Sequence, residues 1–279
     1  MTVQTRIETA AVEAPLNFLR PMRGRPVSYQ YDPPHGIPQR TGEDDAHRVT
    51  IRNARPFAAL LSLDAEGFAL LRAPSAFTDF HDDAAIRSAY YPEVERLLAE
   101  VTGAALVINF DHNVRNAARA AQGEAGIRGP VARTHNDFTL RSGPDRARRE
   151  LALRGLDAES LLRGRFAIVN LWRPIGCPVE KSPLALLDAR TVAPDDVVTA
   201  DLVYRDRVGE TYALRHNPAQ LWYYFPNMAP SEAILIKSYE SDPRVASFSP
   251  HSAFDDPNSL PDAPERESIE TRSLIIYSG

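Results

Sequence analysis

The residues best equipped for chemistry in this chain are one histidine–carboxylate pair and, more than a hundred residues on, a lone histidine followed by arginines. In Thr134-His135-Asn136-Asp137 an imidazole and a carboxylate stand two residues apart. If residues 134–140 form a strand, successive side chains point to opposite faces, so His135 and Asp137 project together and Asn136 projects away. A second imidazole brought in from elsewhere would complete a two-histidine, one-carboxylate facial triad. Such a triad holds non-haem Fe(II) on one side and leaves the other coordination positions open. His-x-Asp alone recurs by chance, so its weight depends on its company.

Seven histidines are available. His35 and His47 sit in a proline-rich segment and at its end. His81 lies among Asp79, Asp82 and Asp83, and His216 precedes Asn217-Pro218. Solvated, capping and turn roles suit these four. His112 follows Asp111 at a strand end, where bracing of the next segment is a better reading than acid–base work. His251 lies between Phe248 and Phe254, ahead of the turn Asp255-Asp256-Pro257. It is restrained as a ligand should be, although a core histidine would look the same.

What separates the two readings is Arg266-Glu267-Ser268 downstream. Strand parity puts Arg266, Ser268, Glu270 and Arg272 on one face. An inward-facing charged row is costly unless it meets an anion. A guanidinium fork grips a carboxylate bidentately and a nearby hydroxyl completes the grip. That equipment fits a dicarboxylate beside a metal; the alternative is an Arg–Glu ladder facing solvent. On other strands, Asn170 with Trp172 and Lys237 with Tyr239 are candidates for lining a substrate pocket, against core or solvent-facing roles. Cys177, between Gly176 and Pro178, has no neighbouring base and is not expected to be a nucleophile.

The elements that must carry these residues are mostly strands. Residues 1–47, broken by Pro15, Pro21, Pro26, Pro33, Pro34 and Pro38, read as an irregular arm able to wrap the domain or a neighbouring subunit in a homodimer. Residues 48–130 read as helices and strands packed on the core. They include strands at 48–53 and 68–72, a helix at 84–102 ended by Gly103, and a strand at 105–110. An Ala/Gly-rich stretch to Pro130 follows, then the motif-bearing strand at 132–140 and helices at 142–154 and 157–163. Beyond Arg165, short strands separated by Pro, Gly, Asn and Asp follow one another: 166–172, 197–204, 210–216, 221–225, 233–239 and 268–277. The expected fold is mainly β with flanking helices, a jelly roll making one domain of residues 1–279. No G-x-G-x-x-G follows a strand and no P-loop occurs, so nucleotide-binding folds have no support.

The whole chain sets outer bounds. It has 279 residues, a formal charge of -5 and one cysteine. That charge argues against general nucleic-acid binding. An intrachain disulfide and a cysteine-built zinc site are both excluded. Residues 1–13 lack the apolar core of a secretory signal, and no apolar run is long enough to span a bilayer. A cytoplasmic protein acting on a small molecule, without membrane or nucleic-acid partners, is the expectation.

Taken in order, several segments resemble one family. They are Tyr91-Pro-Glu-Val-Glu95, Phe110-Asp-His-Asn-Val-Arg115, His135-Asn-Asp137, Asn170-Leu-Trp-Arg-Pro174, Pro183-Leu-Ala-Leu186, Trp222-Tyr-Tyr-Phe225, Pro250-His-Ser-Ala-Phe254 and Arg266-Glu-Ser-Ile-Glu270. The sequence resembles the Fe(II)/2-oxoglutarate-dependent oxygenases of the cephamycin-hydroxylase and fungal-meroterpenoid type, the CmcJ/NvfI-type family, over nearly its whole length. Gln220 departs from the pattern, which often has a histidine there. The resemblance implies a double-stranded β-helix of cupin-like form, with iron on His135, Asp137 and His251. It implies 2-oxoglutarate held by Arg266 and Ser268, with Arg272 the other candidate, and O2 as oxidant. Succinate and CO2 would be the coproducts, and the substrate, a small organic molecule of secondary metabolism, would be hydroxylated, desaturated or cyclised. A cupin-like isomerase or binding protein that does not use 2-oxoglutarate is the competing expectation.

Overall fold

In the computed structural model of the chain, residues 10–124 and 126–278 are described. The expected irregular arm instead opens with a strand, β1 (Ala11–Leu19), whose Val12, Ala14, Leu16 and Phe18 are buried on one face. Residues 1–9 of that arm lie outside the described residues. Two further strands follow, β2 (Val27–Tyr29) and β3 (Asp44–Asn53), and β1 pairs with β3 along its full length. After β4 (Phe68–Arg72), the expected helix is one continuous helical stretch: α1 (Asp83–Ala85), a π-turn (Ile86–Tyr90) and α2 (Tyr91–Thr102). The Asp82 carboxylate caps its start, accepting from the backbone of Ala84 and Ala85. Gly103, at φ 69°, stops it in the left-handed conformation a glycine adopts without penalty.

Next, β5 (Ala104–Asn116) runs well past its expected end, placing Asp111, Asn113 and Arg115 on a strand. A short α3 (Ala117–Ala121) and β6 (Ile127–Arg128) complete that edge. The motif-bearing strand shrinks to β7 (His135–Asn136). Beyond it the Asn136 amide donates to the Phe138 carbonyl, and Thr139 exchanges hydrogen bonds with Ser142. These local bonds turn the chain into α4 (Ser142–Ala152) and α5 (Ala158–Leu161). Eight strands follow: β8 (Phe166–Pro174), β9 (Leu184–Leu187), β10 (Val197–Val203), β11 (Val208–Leu214), β12 (Trp222–Tyr224), β13 (Glu232–Glu240), β14 (His251–Ala253) and β15 (Glu267–Tyr277).

The strands form a nine-stranded sheet, β1-β3-β12-β9-β14-β7-β11-β10-β2, and a six-stranded sheet, β4-β13-β8-β15-β5-β6. Most pairs are antiparallel, and the two sheets enclose a core as in a jelly roll. Alternate residues of β8 show how its inner face is divided. Ile168 lies under α4 in a cluster with Ala147 and Leu151, Asn170 faces polar groups, and Trp172 packs with Leu184 and Leu186 of the opposing sheet. The other face, with Val169 and Leu171, is covered by Tyr90, Val94 and Leu98 of the long helical stretch.

The nine-stranded sheet curls until its first strand meets its middle. Asn17 bridges to Arg133, the Thr134 backbone N–H donates to the Asn17 carbonyl at 2.9 Å, and the Asn17 amide donates to the Ala132 carbonyl. Inside the curl Leu16, Phe18, Ile51, Leu187, Trp222 and Tyr224 form one apolar cluster. Thus β1 is the closing stave of the ring that delivers the chain to His135.

Candidate metal centre

The two histidines reach each other because β7 and β14 are neighbouring antiparallel strands with His135 and His251 in register. Their ring centroids are 4.6 Å apart. Each ring is oriented by its own backbone: His135 Nδ1 lies 2.9 Å from the Arg133 carbonyl and His251 Nδ1 lies 3.3 Å from that of Ser249. A carbonyl only accepts, so Nδ1 is the donor nitrogen in both rings and Nε2 is the one turned toward the other ligand atoms. Asp137 Oδ1 stands 3.8 Å from His135 Nε2, and ligand atoms of the three residues all lie within 4.8 Å of one another. Burial, reinforced by His251, pulls the His135 pKa down to about 4, so this imidazole is neutral at pH 7. Burial works to raise Asp137, but the Arg272 guanidinium outweighs it and holds the carboxyl well below its usual range. Two imidazole nitrogens and one carboxylate oxygen are a donor set suited to a divalent transition metal.

The carboxylate is braced from the six-stranded sheet. Register places Asn170, Arg272 and Asp111 in one row across β8, β15 and β5. Arg272 donates from Nε to Asp137 Oδ2 at 2.9 Å and from Nη2 to Oδ1 at 3.2 Å. It also pairs with Asp111 and Glu270, so its charge is matched by three carboxylates. The Asn170 amide donates both to Asp137 Oδ2, at 2.6 Å, and to Glu270 Oε1, at 2.7 Å. Glu270 in turn lies 3.9 Å from His251 Nε2. Burial opposes its ionisation, yet Arg272 keeps its pKa below normal.

Arg266 is the opposite case. It is 2% exposed, and its Nη1 donates to the Ser182 carbonyl while its guanidinium carbon lies 5.7 Å from the Trp172 ring. Among the described residues no carboxylate comes within 4.0 Å of it, and its Nε has no partner. Burial and the nearby charge of Arg115 lower its pKa to about 9. The Ser268 hydroxyl is likewise buried without a partner. An uncompensated buried cation next to an unused hydroxyl is an environment that an incoming carboxylate relieves.

The remaining candidates sort by contact. Asn170 meets the carboxylates of the cluster, and Trp172 is the platform under Arg266. Lys237 and Tyr239 are not brought to the cluster and do not share a face, because β13 changes register between them. The fully buried Lys237 ammonium pairs with Asp64 at 2.7 Å and Glu240 at 3.0 Å, and Tyr239 stacks on Phe166 beneath α4. Glu270 appeared in the sequence as part of a charged row and at the end of the Arg266–Glu270 segment, with no role of its own. Its place beside His251 depends on the β14–β15 geometry, for which sequence carries no signal. A cavity of about 730 Å³ opens on His135, Asp137 and Arg272.

Comparison with known proteins gives concordant likenesses. A family described as "Oxidoreductase/YMDC permease-like domain" matches residues 16–276; among the described residues no helix is long and apolar enough to cross a membrane. The Fe(II)/2-oxoglutarate-dependent dioxygenase nvfI of Aspergillus novofumigatus is 33% identical over 274 residues, covering 95% of this chain and 96% of that protein. The hydroxylase/desaturase efuI of Hormonema carpetanum is 31% identical, covering 96% and 98% of the two chains. The solved structure of the iron and alpha-ketoglutarate-dependent endoperoxidase NvfI superposes with a TM-score of 0.85 at 30% identity, over 97% of this chain and 99% of that one.

Proposed function

Because the chain belongs to the family of Fe(II)/2-oxoglutarate-dependent dioxygenases, we propose that His135, Asp137 and His251 hold the iron and that Arg266 with Ser268 receives the distal carboxylate of 2-oxoglutarate. The chain is an oxidoreductase that uses Fe(II), 2-oxoglutarate and O2 on a small organic substrate. The observation that carries the site assignment is the contrast between two arginines, Arg266 just before β15 and Arg272 within it. Arg272 is matched by three carboxylates, whereas among the described residues Arg266 has none within 4.0 Å.

When bound, the iron and its cosubstrate supply the oxidising power, 2-oxoglutarate losing CO2 to become succinate as O2 is reduced. The protein's part is placement. The Arg133 and Ser249 carbonyls fix both imidazole tautomers so that Nε2 faces the metal. Arg272 and Asn170 hold Asp137 ionised and oriented, and Trp172 stacks under Arg266 to fix the fork that sets the cosubstrate's direction. This division of labour permits hydroxylation, desaturation or ring formation, and we read the substrate as a secondary metabolite by analogy with the hydroxylase/desaturase and endoperoxidase relatives. We place the enzyme in the cytoplasm, where Fe(II) stays reduced and 2-oxoglutarate is made. A cupin-like isomerase would need the imidazoles and not a buried, anion-seeking Arg266.

The test is anaerobic titration of the Fe(II)-loaded protein with 2-oxoglutarate, followed by its visible charge-transfer absorption. Arg266→Gln is expected to weaken cosubstrate binding while retaining iron, and Arg272→Gln to lose iron. An absent band, with no succinate formed in air across candidate substrates, would overturn the reading.

A further inference from the structure

The cavity that opens on His135 and Asp137 has a charge opposite to that of the whole chain. Its wall carries twice as many arginines as carboxylates, although the protein's formal charge is -5. Most of these arginines are matched: each meets a carboxylate within 4.0 Å, as Arg25 meets Asp201 and Glu210. Among the described residues three meet none, namely Arg115 on β5, Arg128 on β6 and Arg149 on α4.

Two of the three are direct neighbours. The parallel pairing of β5 with β6 sets Arg115 against Arg128 in register, on the strand edge next to Ser268 of β15. Like charges directly opposite on adjacent strands destabilise a sheet. Among the described residues neither guanidinium meets a carboxylate within 4.0 Å, Glu270 and Asp137 acting on Arg115 from farther off, and the Arg115 side chain donates to the Gly129 carbonyl at 2.9 Å. Arg115 is half-buried and Arg128 exposed at the mouth, so the pair runs from the interior outward. Phe138, Leu202 and Tyr212 add apolar wall to the same cavity. A ligand that satisfies both surfaces has an apolar body and an oxyanionic group.

Resting on the iron and 2-oxoglutarate reading above, we propose that the organic substrate is a carboxylic acid whose carboxylate is held by Arg115 and Arg128, separately from the cosubstrate site at Arg266. Arg149, free of carboxylates on the same cavity wall, adds to the attraction. A carboxylate bridging two guanidinium groups gains charge-assisted hydrogen bonds from both and removes their mutual repulsion.

The experiment compares 1-naphthoate with 1-naphthamide, an apolar probe with and without the negative charge, by calorimetry on anaerobic protein loaded with Fe(II) and 2-oxoglutarate and again on metal-free protein. The naphthoate should bind at least about tenfold more tightly, charge-assisted contacts being worth that much or more, and rising salt should erode the difference. Arg128→Gln should remove most of the preference and leave the 2-oxoglutarate titration unchanged. Arg115→Lys should keep part of it and Arg115→Gln none, with melting temperature recorded for each variant. Equal affinity for the two probes, no binding of the naphthoate, or a preference that survives Arg128→Gln would overturn the proposal. So would an Arg115→Gln protein that loses 2-oxoglutarate affinity and keeps the naphthoate preference, since Arg115 would then serve the cosubstrate. Failure of the charge-transfer band in the unsubstituted protein would instead strike the parent reading, and the metal-free comparison would still decide the probe preference.

Discussion

Asn170 shows how a single side chain can tie two acidic groups of the site together. Its one amide nitrogen donates to Asp137 and to Glu270, which otherwise lie near each other as two negative charges, the first half-buried and the second buried. Removing it in Asn170→Ala leaves Asp137 oriented by Arg272 alone. Supporting contacts of this kind are worth about 10- to 100-fold in metal affinity, so iron binding should weaken by that order while the discrimination of 2-oxoglutarate from shorter keto acids is kept. Competition with a coloured chelator reads the first quantity and the charge-transfer titration the second; unchanged iron affinity would show that Arg272 suffices. Asp137→Ala is the stronger change. Iron should be lost altogether, yet Arg272 keeps Asp111 and Glu270 as partners, so the stability loss should stay within about 1–3 kcal/mol. Iron stoichiometry and urea unfolding of the same sample measure both. At this scale the sequence was informative where chemistry is carried by residue type and close spacing, as in His135-x-Asp137 and Arg266-x-Ser268. It carried no sign of the contacts Asn170 makes, because their partners are remote in the chain: Asp137 is 33 positions away from Asn170 and Glu270 is 100.

Elements were legible in proportion to their continuity. The strands β8, β13 and β15 are long and nearly all buried, and α2 ends in a glycine, so pattern and punctuation agree. The two-residue β7 has no pattern to read; its place is fixed by pairing with β11 and β14. In β13 the alternation itself misleads, because the irregularity between Lys237 and Tyr239 breaks the parity that would put them on one face. Lys237 is there to neutralise: it sits fully buried between Asp64 and Glu240, and Arg165 reaches both acids from outside. Lys237→Ala strips the buried Glu240 of its inner partner, a loss of about 3 kcal/mol, visible as a lower urea midpoint. Iron and 2-oxoglutarate affinities should be unchanged. A rise in substrate KM with stability intact would mean instead that the ammonium reaches the cavity.

At the scale of the molecule, the part of the chain that reads as an appendage is structural. Prolines and charged residues hide the alternation Val12, Ala14, Leu16, Phe18, and a stretch of irregular chain follows it, so residues 1–47 resemble an arm. Their first strand closes the curled sheet through Asn17, Arg133 and Thr134, immediately before His135. Phe18 is the wedge of that closure, fully buried, with its ring centroid 5.2 Å from that of His216 and 6.0 Å from that of Trp222. Phe18→Ala should cost about 3–5 kcal/mol through lost burial and the cavity left behind. Because the same closure aligns β7 with β14, iron affinity should fall with stability. Mn(II) with 2-oxoglutarate should then restore part of the melting temperature, since ligand at a hundredfold over Kd returns about 2.7 kcal/mol to the folded state. Deleting residues 1–19 takes the argument to its limit: the ring opens, and both the melting transition and the iron stoichiometry should drop together. If the shortened protein melts as the full chain does and binds one iron, β1 is an ornament on a site that assembles without it. If it folds stably but loses iron, the closure serves the alignment of His135 with His251 more than the stability of the sheet.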